Sequence, residues 1–373
     1  MVSEQTRQTA DDIKNYIKRH GIEYRTLFDL LDVAKTVFEK ENDTEWALKV
    51  TSYIKECCTW AIQSNVEVLQ MDELYWKTLK AEATYWFDSY LIYLERKRER
   101  RDMFYLPKRK QLNKHGLIQA MQDLEDDKLD ILSISMPPGT QKTTLEKFFA
   151  SWIIGRHPDD YSLFFSHSGD ITRMFYDGVI DITTNDEEYC WNEIFPDVHL
   201  VSTDAKREQI NFNKYKPFAN LQCTSVGSKN AGKVRCNRYL YCDDLIGGIE
   251  EALNKNQLDK LWRIYGTDAK QRKLNEQVKE IHIATRWSVH DVIGRLKRLY
   301  DGNPRARFIA VPDIDPESGE SNFDYEFNGM SVKFFNDQAL TMDDISYKCL
   351  YKNEPIEREG LLYHEDDLRR YQS

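Results

Sequence analysis

The sequence predicts an α/β fold in which a mostly parallel sheet is flanked by helices and preceded by an all-helical region. Residues 11–101 contain one glycine and no proline, and their apolar residues recur at helical spacing. From residue 107 onward, short apolar runs alternate with helical patterns, as in consecutive βαβ units. The third observation is a pair of motifs, one after each of two predicted strands.

The predicted strands are short apolar runs that helical segments separate. Such runs indicate strands of a parallel sheet covered on both faces. Functional sites in these sheets lie beyond the carboxyl ends of the strands. The predicted strands are residues 131–136, 162–166, 221–226, 239–242, 281–284 and 308–311, and the clearest helices are residues 144–155 and 249–265.

The first motif is a loop that follows the first predicted strand directly. Residues 136–143 read M-P-P-G-T-Q-K-T. In the phosphate-loop pattern G-x-x-x-x-G-K-[ST], Lys142 and Thr143 fit, whereas Met136 and Gln141 occupy the two glycine positions. The lysine of such a loop reaches the β- and γ-phosphates, and the hydroxyl binds Mg²⁺. The loop therefore indicates a nucleotide site, and a plain strand–helix connection is the alternative.

The second motif is an acidic pair, Asp243 and Asp244, at the end of the predicted strand 239–242. An ATPase needs a carboxylate for Mg²⁺ and a group that orients the attacking water. Taken alone, the pair could equally be a strand that runs into a solvated turn. A strand–loop–Lys-Thr followed by a strand–Asp-Asp supplies the parts of an ATPase in their usual order.

Composition restricts the class of protein. The 373 residues are 41% hydrophobic and 31% charged, which is typical of a globular protein. No apolar run approaches the roughly 18 residues of a membrane span. The 7 cysteines lack CxxC spacing, so we expect reduced thiols and no zinc site. A net charge of −10 argues against nucleic acid coating the whole surface, but the basic residues 96–101 could be a local DNA contact or a solvated helix end.

Two further stretches complete the set of motifs. Residues 225–235 form a glycine-bearing basic loop ahead of the acidic strand. Residues 285–295 read T-R-W-S-V-H-D-V-I-G-R, which puts a hydroxyl and a guanidinium at the sheet edge predicted for the phosphates. With all four elements in this order, the chain resembles the ATPase part of the large terminase subunit, the DNA-packaging motor of tailed bacteriophages.

The resemblance extends from about residue 105 to residue 312. That family shows a deviant Walker A motif M-P-P-R-x-G-K-[ST], a small-G-x-x-x-G-[RK] loop, an apolar strand ending D-D or D-E, and a coupling motif T-R-W-x-x-x-D-x-x-G-R. The matching segments here are residues 136–143, 225–233, 239–244 and 285–295. The resemblance implies a P-loop NTPase fold of the ASCE type, with ATP and Mg²⁺ as cofactors.

The resemblance also implies roles for the chemistry-bearing residues. Lys142 would hold the β- and γ-phosphates, and Thr143 and Asp243 would hold Mg²⁺. Asp244 would polarise the attacking water. Two residues of the coupling motif, Thr285 and Arg286, would sense the nucleotide and couple its hydrolysis to movement.

Further nucleotide contacts would come from the rest of the loop and from an adenine-side segment at residues 105–111. These contacts are Pro138, Gly139, Thr140, Gln141, Thr144, Arg109 and Gln111.

Two positions depart from the family's pattern. Gly139 stands where the family's loop usually carries an arginine, so a cation for the transition state has to come from elsewhere. The basic loop offers Lys233 and Arg235, which a neighbouring subunit of a ring could present. Gln141 stands where the family has a glycine, which puts a side chain where the backbone turns closely around phosphate.

We therefore expect a helical region at residues 1–101, an ATPase domain at 102–345 and a C-terminal linker segment at 346–373. Nothing after residue 313 resembles the carboxylate cluster of the family's nuclease, so nuclease activity is not expected. The implied function is translocation of double-stranded viral DNA into a procapsid in the cytoplasm of a bacterial host. The implied partners are the DNA, a portal protein, a small terminase subunit and further copies in a ring. The alternatives are a helicase- or recombination-type ATPase, and a non-catalytic scaffold with a degenerate loop.

Overall fold

The computed structural model describes residues 2–228 and 234–355, and the chain divides into two compact units. The first unit contains Met1–Tyr105 and Thr183–Asp197, and the second contains Leu106–Ile182 and Val198–Ser373. The stretch Thr183–Asp197 falls inside the region that the sequence assigns to the ATPase domain. The predicted boundaries at residues 101 and 345 stay predictions. No helix in the described ranges is long and apolar enough to cross a membrane.

The first unit is helical, as its periodicity predicts. Side chains cap the helices: Ser3 accepts a hydrogen bond from the backbone of the first helix, and Asp43 does the same for the third. Leu27, Leu30 and Ile54 are fully buried in its core. The first five helices are α1 (Glu4–His20), α2 (Tyr24–Thr36), α3 (Thr44–Gln63), α4 (Val68–Ala83) and α5 (Phe87–Leu94), with a π-helical turn at Val37–Glu41 after α2.

The basic run at residues 96–101 contributes to the packing of the first unit. The Arg96 guanidinium lies 4.7 Å from the centre of the Trp76 ring. Arg98 pairs with Glu95 at 2.9 Å and with Glu188 at 2.8 Å. Because these contacts engage Arg96 and Arg98 internally, the structure favours a packing role for them over the DNA contact considered above.

The second unit is built on one eight-stranded sheet. Its order is β3-β4-β5-β2-β6-β7-β1-β8, and all pairs from β5 to β8 are parallel, whereas β3, β4 and β5 pair antiparallel. The strands are β1 (Ile131–Ser135), β2 (Ser162–Ser166), β3 (Leu200–Asp204), β4 (Gln209–Phe212), β5 (Leu221–Ser225), β6 (Tyr239–Asp243), β7 (Lys279–Ile283) and β8 (Ala306–Ala310).

Helices pack against the central strands of this sheet, β1, β2, β6 and β7, whose residues are all buried. One cluster of apolar side chains packs Leu163 and Leu240 of the sheet against Leu296. The predicted helix 249–265 is two helices, because Asn254 caps the start of the second one. The remaining helices are α6 (Arg109–Lys114), α7 (Leu117–Glu125), α8 (Lys142–Arg156), α9 (Gly169–Thr184), α10 (Trp191–Ile194), α11 (Ile249–Ala252), α12 (Lys255–Ile264), α13 (Val292–Leu299), α14 (Val332–Thr341) and α15 (Asp344–Leu350).

The sheet confirms the predicted P-loop NTPase fold class. All six predicted strands are present within two residues of their predicted starts. One strand, β7, lies between β1 and β6, so the strand before the phosphate loop and the strand before the acidic pair are not neighbours. The carboxyl ends of β1, β7 and β6 lie level, since Ile283 pairs with both Ile134 and Asp243.

A buried glutamate fixes the amino-terminal end of β6. Glu125 accepts hydrogen bonds from the Arg238 guanidinium and from the Tyr239 hydroxyl at 2.7–2.8 Å, and it contacts His157 Nε2 at 2.6 Å. Burial alone would raise the pKa of Glu125. The hydrogen bond from His157 and the charges of Arg156 and Arg238 outweigh burial and lower the pKa to about 2. The folded protein therefore stabilises the ionised form of the Glu125 carboxyl group.

We expect Glu125→Gln to destabilise the protein in a pH-dependent way. A pKa lowered from 4.5 to about 2 corresponds to about 3 kcal/mol. Since the folded-state pKa is depressed, this stability is present above about pH 5 and is lost as the pH falls toward 2. Urea unfolding should show the variant about 3 kcal/mol less stable at pH 7, with the difference shrinking between pH 5 and pH 3. The exposed Glu250→Gln variant serves as control, and a pH-independent difference would contradict the account.

Candidate functional site

The phosphate loop connects the end of β1 to the start of α8, and its lysine is the first residue of the helix. Lys142 is buried, with 8% of its surface exposed. Its ammonium donates to Thr285 Oγ1 at 3.3 Å and lies 3.6 Å from Asp244 Oδ2. One cation thus joins the ends of three strands, namely β1, β6 and β7.

The next residue of α8 contacts the acidic pair. Thr143 Oγ1 donates a hydrogen bond of 2.7 Å to Asp243 Oδ2. The other oxygen of Asp243 is buried and has no hydrogen-bond partner among the described residues. Burial and the neighbouring Asp244 charge raise the pKa of Asp243 to about 7. Such a carboxylate gains from a cation that replaces the lost hydration.

This pair of oxygen ligands fits Mg²⁺. Proteins bind Mg²⁺ through one or two carboxylates, together with phosphates and retained waters, and seldom through a closed set of side chains. Asp243 and Thr143 supply such a partial set, and the unpartnered oxygen of Asp243 faces no competing donor in the described chain. In residues 2–228 and 234–355, no group of three or more His, Cys, Asp or Glu side chains could hold a metal by itself.

Asp244 sits in an unusual backbone conformation at the end of β6. Its φ is +40°, in the left-handed region that non-glycine residues seldom adopt. Hydrogen bonds hold it there: its N–H donates to Ile283 O at 2.8 Å, and its Oδ1 accepts from the Thr285 N–H at 3.2 Å. His167 Nδ1 contacts the Asp244 carbonyl oxygen at 2.5 Å. The carboxylate is consequently fixed while part of it remains exposed.

The backbone of the phosphate loop explains why glycines recur at such positions. Gln141 has φ +64° and caps α8 in the left-handed conformation, without a side-chain hydrogen bond to the helix. Gly139 has φ +77°, and a Cβ atom there would lie 2.9 Å from Met330 Cε. An arginine at residue 139 would therefore meet both backbone strain and a close contact. Glycine fits at residue 139, and Gln141 bears the conformational cost that a glycine would avoid.

The coupling motif folds into a compact turn that supports its own arginine. Arg286 is buried and its Nε donates to Asp291 Oδ2 at 3.1 Å. Asp291 also caps α13 by accepting from the Gly294 N–H at 2.6 Å. A Cβ atom on Gly294 would lie 2.3 Å from Val289 O, so only glycine fits. Arg295 donates to His290 O at 2.7 Å. The spacing of the motif thus has a structural cause, and the sensing role of Arg286 stays a prediction.

The other predicted site residues lie at varied places. Thr140 donates to Pro137 O at 2.8 Å inside the loop, and Gln111 donates to Asp324 O at 3.1 Å beside α6. Arg235 donates to Gln271 O at 3.0 Å. Lys233 lies outside the described residues. The remaining predicted contacts are Pro138 and Thr144, which are half-buried in the loop and in α8, and Arg109, which begins α6 at the surface.

Sequence reasoning missed two residues next to the acidic pair. His167, after β2, contacts the Asp244 backbone as described. Glu146 is fully buried in α8, and neither of its carboxyl oxygens has a partner among the described residues. Burial, followed by the charges of Asp243 and Asp244, holds the pKa of Glu146 well above its usual value. A signal was present, since Glu146 shares an apolar helical stripe with Leu145 and Phe149.

Comparisons with known proteins concern the fold. No protein-family model matches this sequence, and a search of curated proteins finds no match. Among solved structures, the chain is similar to a mutant of the large terminase ATPase domain of Thermus phage P74-26, with a TM-score of 0.45 and 8% identity, covering 64% of this chain and 93% of that one.

A second similar structure is the large terminase of bacteriophage HK97, with a TM-score of 0.39 and 12% identity, covering 61% of this chain. The chain spans 44% of the length of that HK97 protein. These likenesses concern fold alone, and the case for function rests on the residues described above.

We expect Gln141→Gly to stabilise the protein, because glycine adopts the left-handed conformation without the cost that a side chain carries. The gain should be about 0.5–1 kcal/mol after the extra freedom of glycine in the unfolded chain is subtracted. Gln141→Ala, which removes the amide but keeps the strain, should show no comparable gain in urea unfolding. Equal stabilities of the two variants would contradict the assignment.

Proposed function

We propose that the chain is a Mg²⁺-dependent ATPase that drives double-stranded DNA into a viral procapsid. The observation that carries this proposal is the convergence of Lys142, Thr143, Asp243, Asp244 and Thr285 at the level carboxyl ends of β1, β6 and β7. These residues come from three separate stretches of the sequence. The lysine, the Thr143 hydroxyl and the two carboxylates are parts that phosphoryl transfer from ATP uses, and the resemblance adds Thr285 as a sensor of the nucleotide.

Residues of α8 and β6 would bind the triphosphate and its metal. Lys142 would contact the β- and γ-phosphates, and its present contacts with Asp244 and Thr285 keep the ammonium at this edge. Thr143 and Asp243 would ligate Mg²⁺. When bound, the metal supplies positive charge that offsets the charge developing on the transferred phosphoryl group.

Asp244 is the residue best placed to orient and deprotonate the attacking water. Its backbone is held by Ile283 and His167, and its Oδ1 accepts from the Thr285 N–H, which keeps the carboxylate at the site. Part of the carboxylate remains exposed, whereas Asp243 is buried. This difference in exposure supports Asp243 as the proposed metal ligand and Asp244 as the residue that would orient the water.

Completing the transition state requires a further cation. Gly139 carries no side chain, and Arg286 is engaged with Asp291. A neighbouring subunit of a ring remains the proposed source. Arg235 and Lys233 are the proposed donors, of which Arg235 contacts Gln271 O in the single chain.

The alternatives make different use of the same residues. A helicase- or recombination-type ATPase would hydrolyse ATP without response to a portal protein. A non-catalytic scaffold would need neither Lys142 nor the acidic pair, yet both are assembled and partly buried here. Phosphate release measured with and without duplex DNA and portal protein distinguishes the packaging motor from these two alternative functions.

We expect the two aspartates to respond differently to amide substitution. Asp244→Asn should preserve Mg²⁺-ATP binding and lower turnover by at least about 100-fold, in the range of general-base losses. Asp243→Asn should weaken Mg²⁺-dependent binding itself, because it removes a charged metal ligand. Nucleotide titration with and without Mg²⁺, together with phosphate release, measures both effects. Equal and mild losses from the two substitutions would contradict the assignment.

A further inference from the structure

The antiparallel part of the sheet presents a polar face. Cross-strand neighbours pair Ser202 with Asn211, and Gln209 with both Asp204 and Gln222. The Gln209 and Gln222 amides join at 2.8 Å, and the Asn211 amide donates to Ser202 Oγ at 3.3 Å. We call these five side chains on β3, β4 and β5 the polar platform.

The opposite face of β4 and β5 belongs to the core. Ile210, Phe212 and Leu221 are all fully buried. Because residues alternate between faces along a strand, this burial fixes which side chains the platform presents. The platform is consequently held in one register by the hydrophobic core beneath it.

Cations border the platform. It forms the floor of a trough of about 570 Å³ whose walls include Arg207, Tyr215 and Lys216. Arg207 is 69% exposed and lies 3.8 Å from Asp204, a weak pairing. The Lys216 ammonium is held by the Asn220 side chain at 2.9 Å and by the Phe212 and Pro158 carbonyls, so its contacts fix the ammonium in place.

This region is basic in an acidic chain. Residues 199–235 contain seven Lys or Arg and two Asp or Glu, a net charge of +5 in a chain of net −10. The rest of the sequence therefore carries −15. Two of the seven cations, Lys229 and Lys233, lie outside the described residues, and without them the stretch carries a net charge of +3. A local basic face of this kind is what an acidic protein needs in order to attract a polyanion.

We propose that the polar platform and its bordering cations bind the sugar-phosphate backbone of duplex DNA. Arg, Lys, Ser, Asn, Gln and Tyr side chains are the groups that contact phosphates and sugars without reading sequence. The trough combines these types and offers no large apolar surface for a protein partner. Contacts of this kind suit a motor that must accept any sequence.

The position of β5 in the sheet connects the proposed DNA contact to the acidic pair. β5 carries Gln222 of the platform and ends at Ser225, which lies level with Ser166 of β2. Ser166 in turn lies level with Asp243 of β6. DNA bound at the platform would therefore contact β5, which lies two strands from β6 and its acidic pair. The paired backbones of β5, β2 and β6 connect the two places.

The inference rests on the proposed motor function, and binding measured without nucleotide tests it separately. The probe is a 30-base-pair duplex of mixed sequence, titrated with the full chain over a range of salt concentrations. Replacing Arg207 by glutamine should weaken binding and reduce the slope of log K against log salt by about 1, roughly one unit for the lost phosphate contact.

A second variant is expected to increase the affinity for DNA. Asp204→Asn removes a negative charge from the platform but keeps an oxygen that accepts from the Lys206 and Arg207 backbone N–H groups, as Oδ1 does now. It should bind the duplex more tightly than the parent chain at low salt. The matched control is Lys297→Gln with Arg298→Gln on α13, two exposed cations outside the trough, which should leave affinity and slope unchanged.

Basal ATP hydrolysis in the absence of DNA should be unchanged by all of these substitutions, since none lies at the phosphate loop. Equal affinity and slope in the Arg207→Gln variant and the α13 control would overturn the proposal, as would a parent chain that does not bind the duplex. Loss of DNA binding together with normal basal hydrolysis would support it. If the chain does not hydrolyse ATP but binds DNA in a way that depends on the platform, the motor function is refuted and the DNA-binding proposal is still supported.

Discussion

The candidate site depends on one hydrogen bond, from Thr143 Oγ1 to Asp243 Oδ2 at 2.7 Å. It joins the first turn of α8 to the end of β6, and so brings the phosphate loop to the acidic pair across the inserted strand β7. The burial of Asp243 increases the effect of this bond on the charge of the site. Asp243 is removed from water, its second oxygen has no partner among the described residues, and its pKa rises to about 7. The site therefore stores an unfavourable charge that a divalent cation relieves.

Irregular backbone surrounds this bond at three positions. Gly139, Gln141 and Asp244 all have positive φ, at +77°, +64° and +40°. Residues in such conformations persist where the surrounding structure holds them, and they concentrate at functional sites. The chain changes direction sharply at each of these places: at Gly139 in the loop, at Gln141 before α8 and at Asp244 after β6. The strain at Gln141 and Asp244 is the cost of placing a lysine, a hydroxyl and two carboxylates together.

Sequence patterns predicted the parallel strands because most of them are buried on both faces and form continuous apolar runs, although β8 is partly exposed. They did not predict β3 and β4, whose alternating and partly exposed side chains resemble a polar loop. The loop and the acidic pair were found from residue types and spacing, and the structure brings Lys142, Thr143 and Asp243 together as expected. The pairing of Arg286 with Asp291, the isolated burial of Glu146 and the inclusion of Thr183–Asp197 in the first unit depend on tertiary contacts. Local periodicity carries no record of such contacts.

The measurement that tests the central claim most directly is metal binding at the hydroxyl–carboxylate pair. Mn²⁺ can replace Mg²⁺ and be followed by electron paramagnetic resonance in the presence of a non-hydrolysable ATP analogue. The account predicts one tightly bound Mn²⁺ per chain, and a loss of at least about tenfold in affinity, or about 1.4 kcal/mol, when Thr143 is replaced by the isosteric valine. Asp243→Asn should lose more, because it removes a charge as well as a ligand. Unchanged Mn²⁺ affinity in both variants would contradict the account.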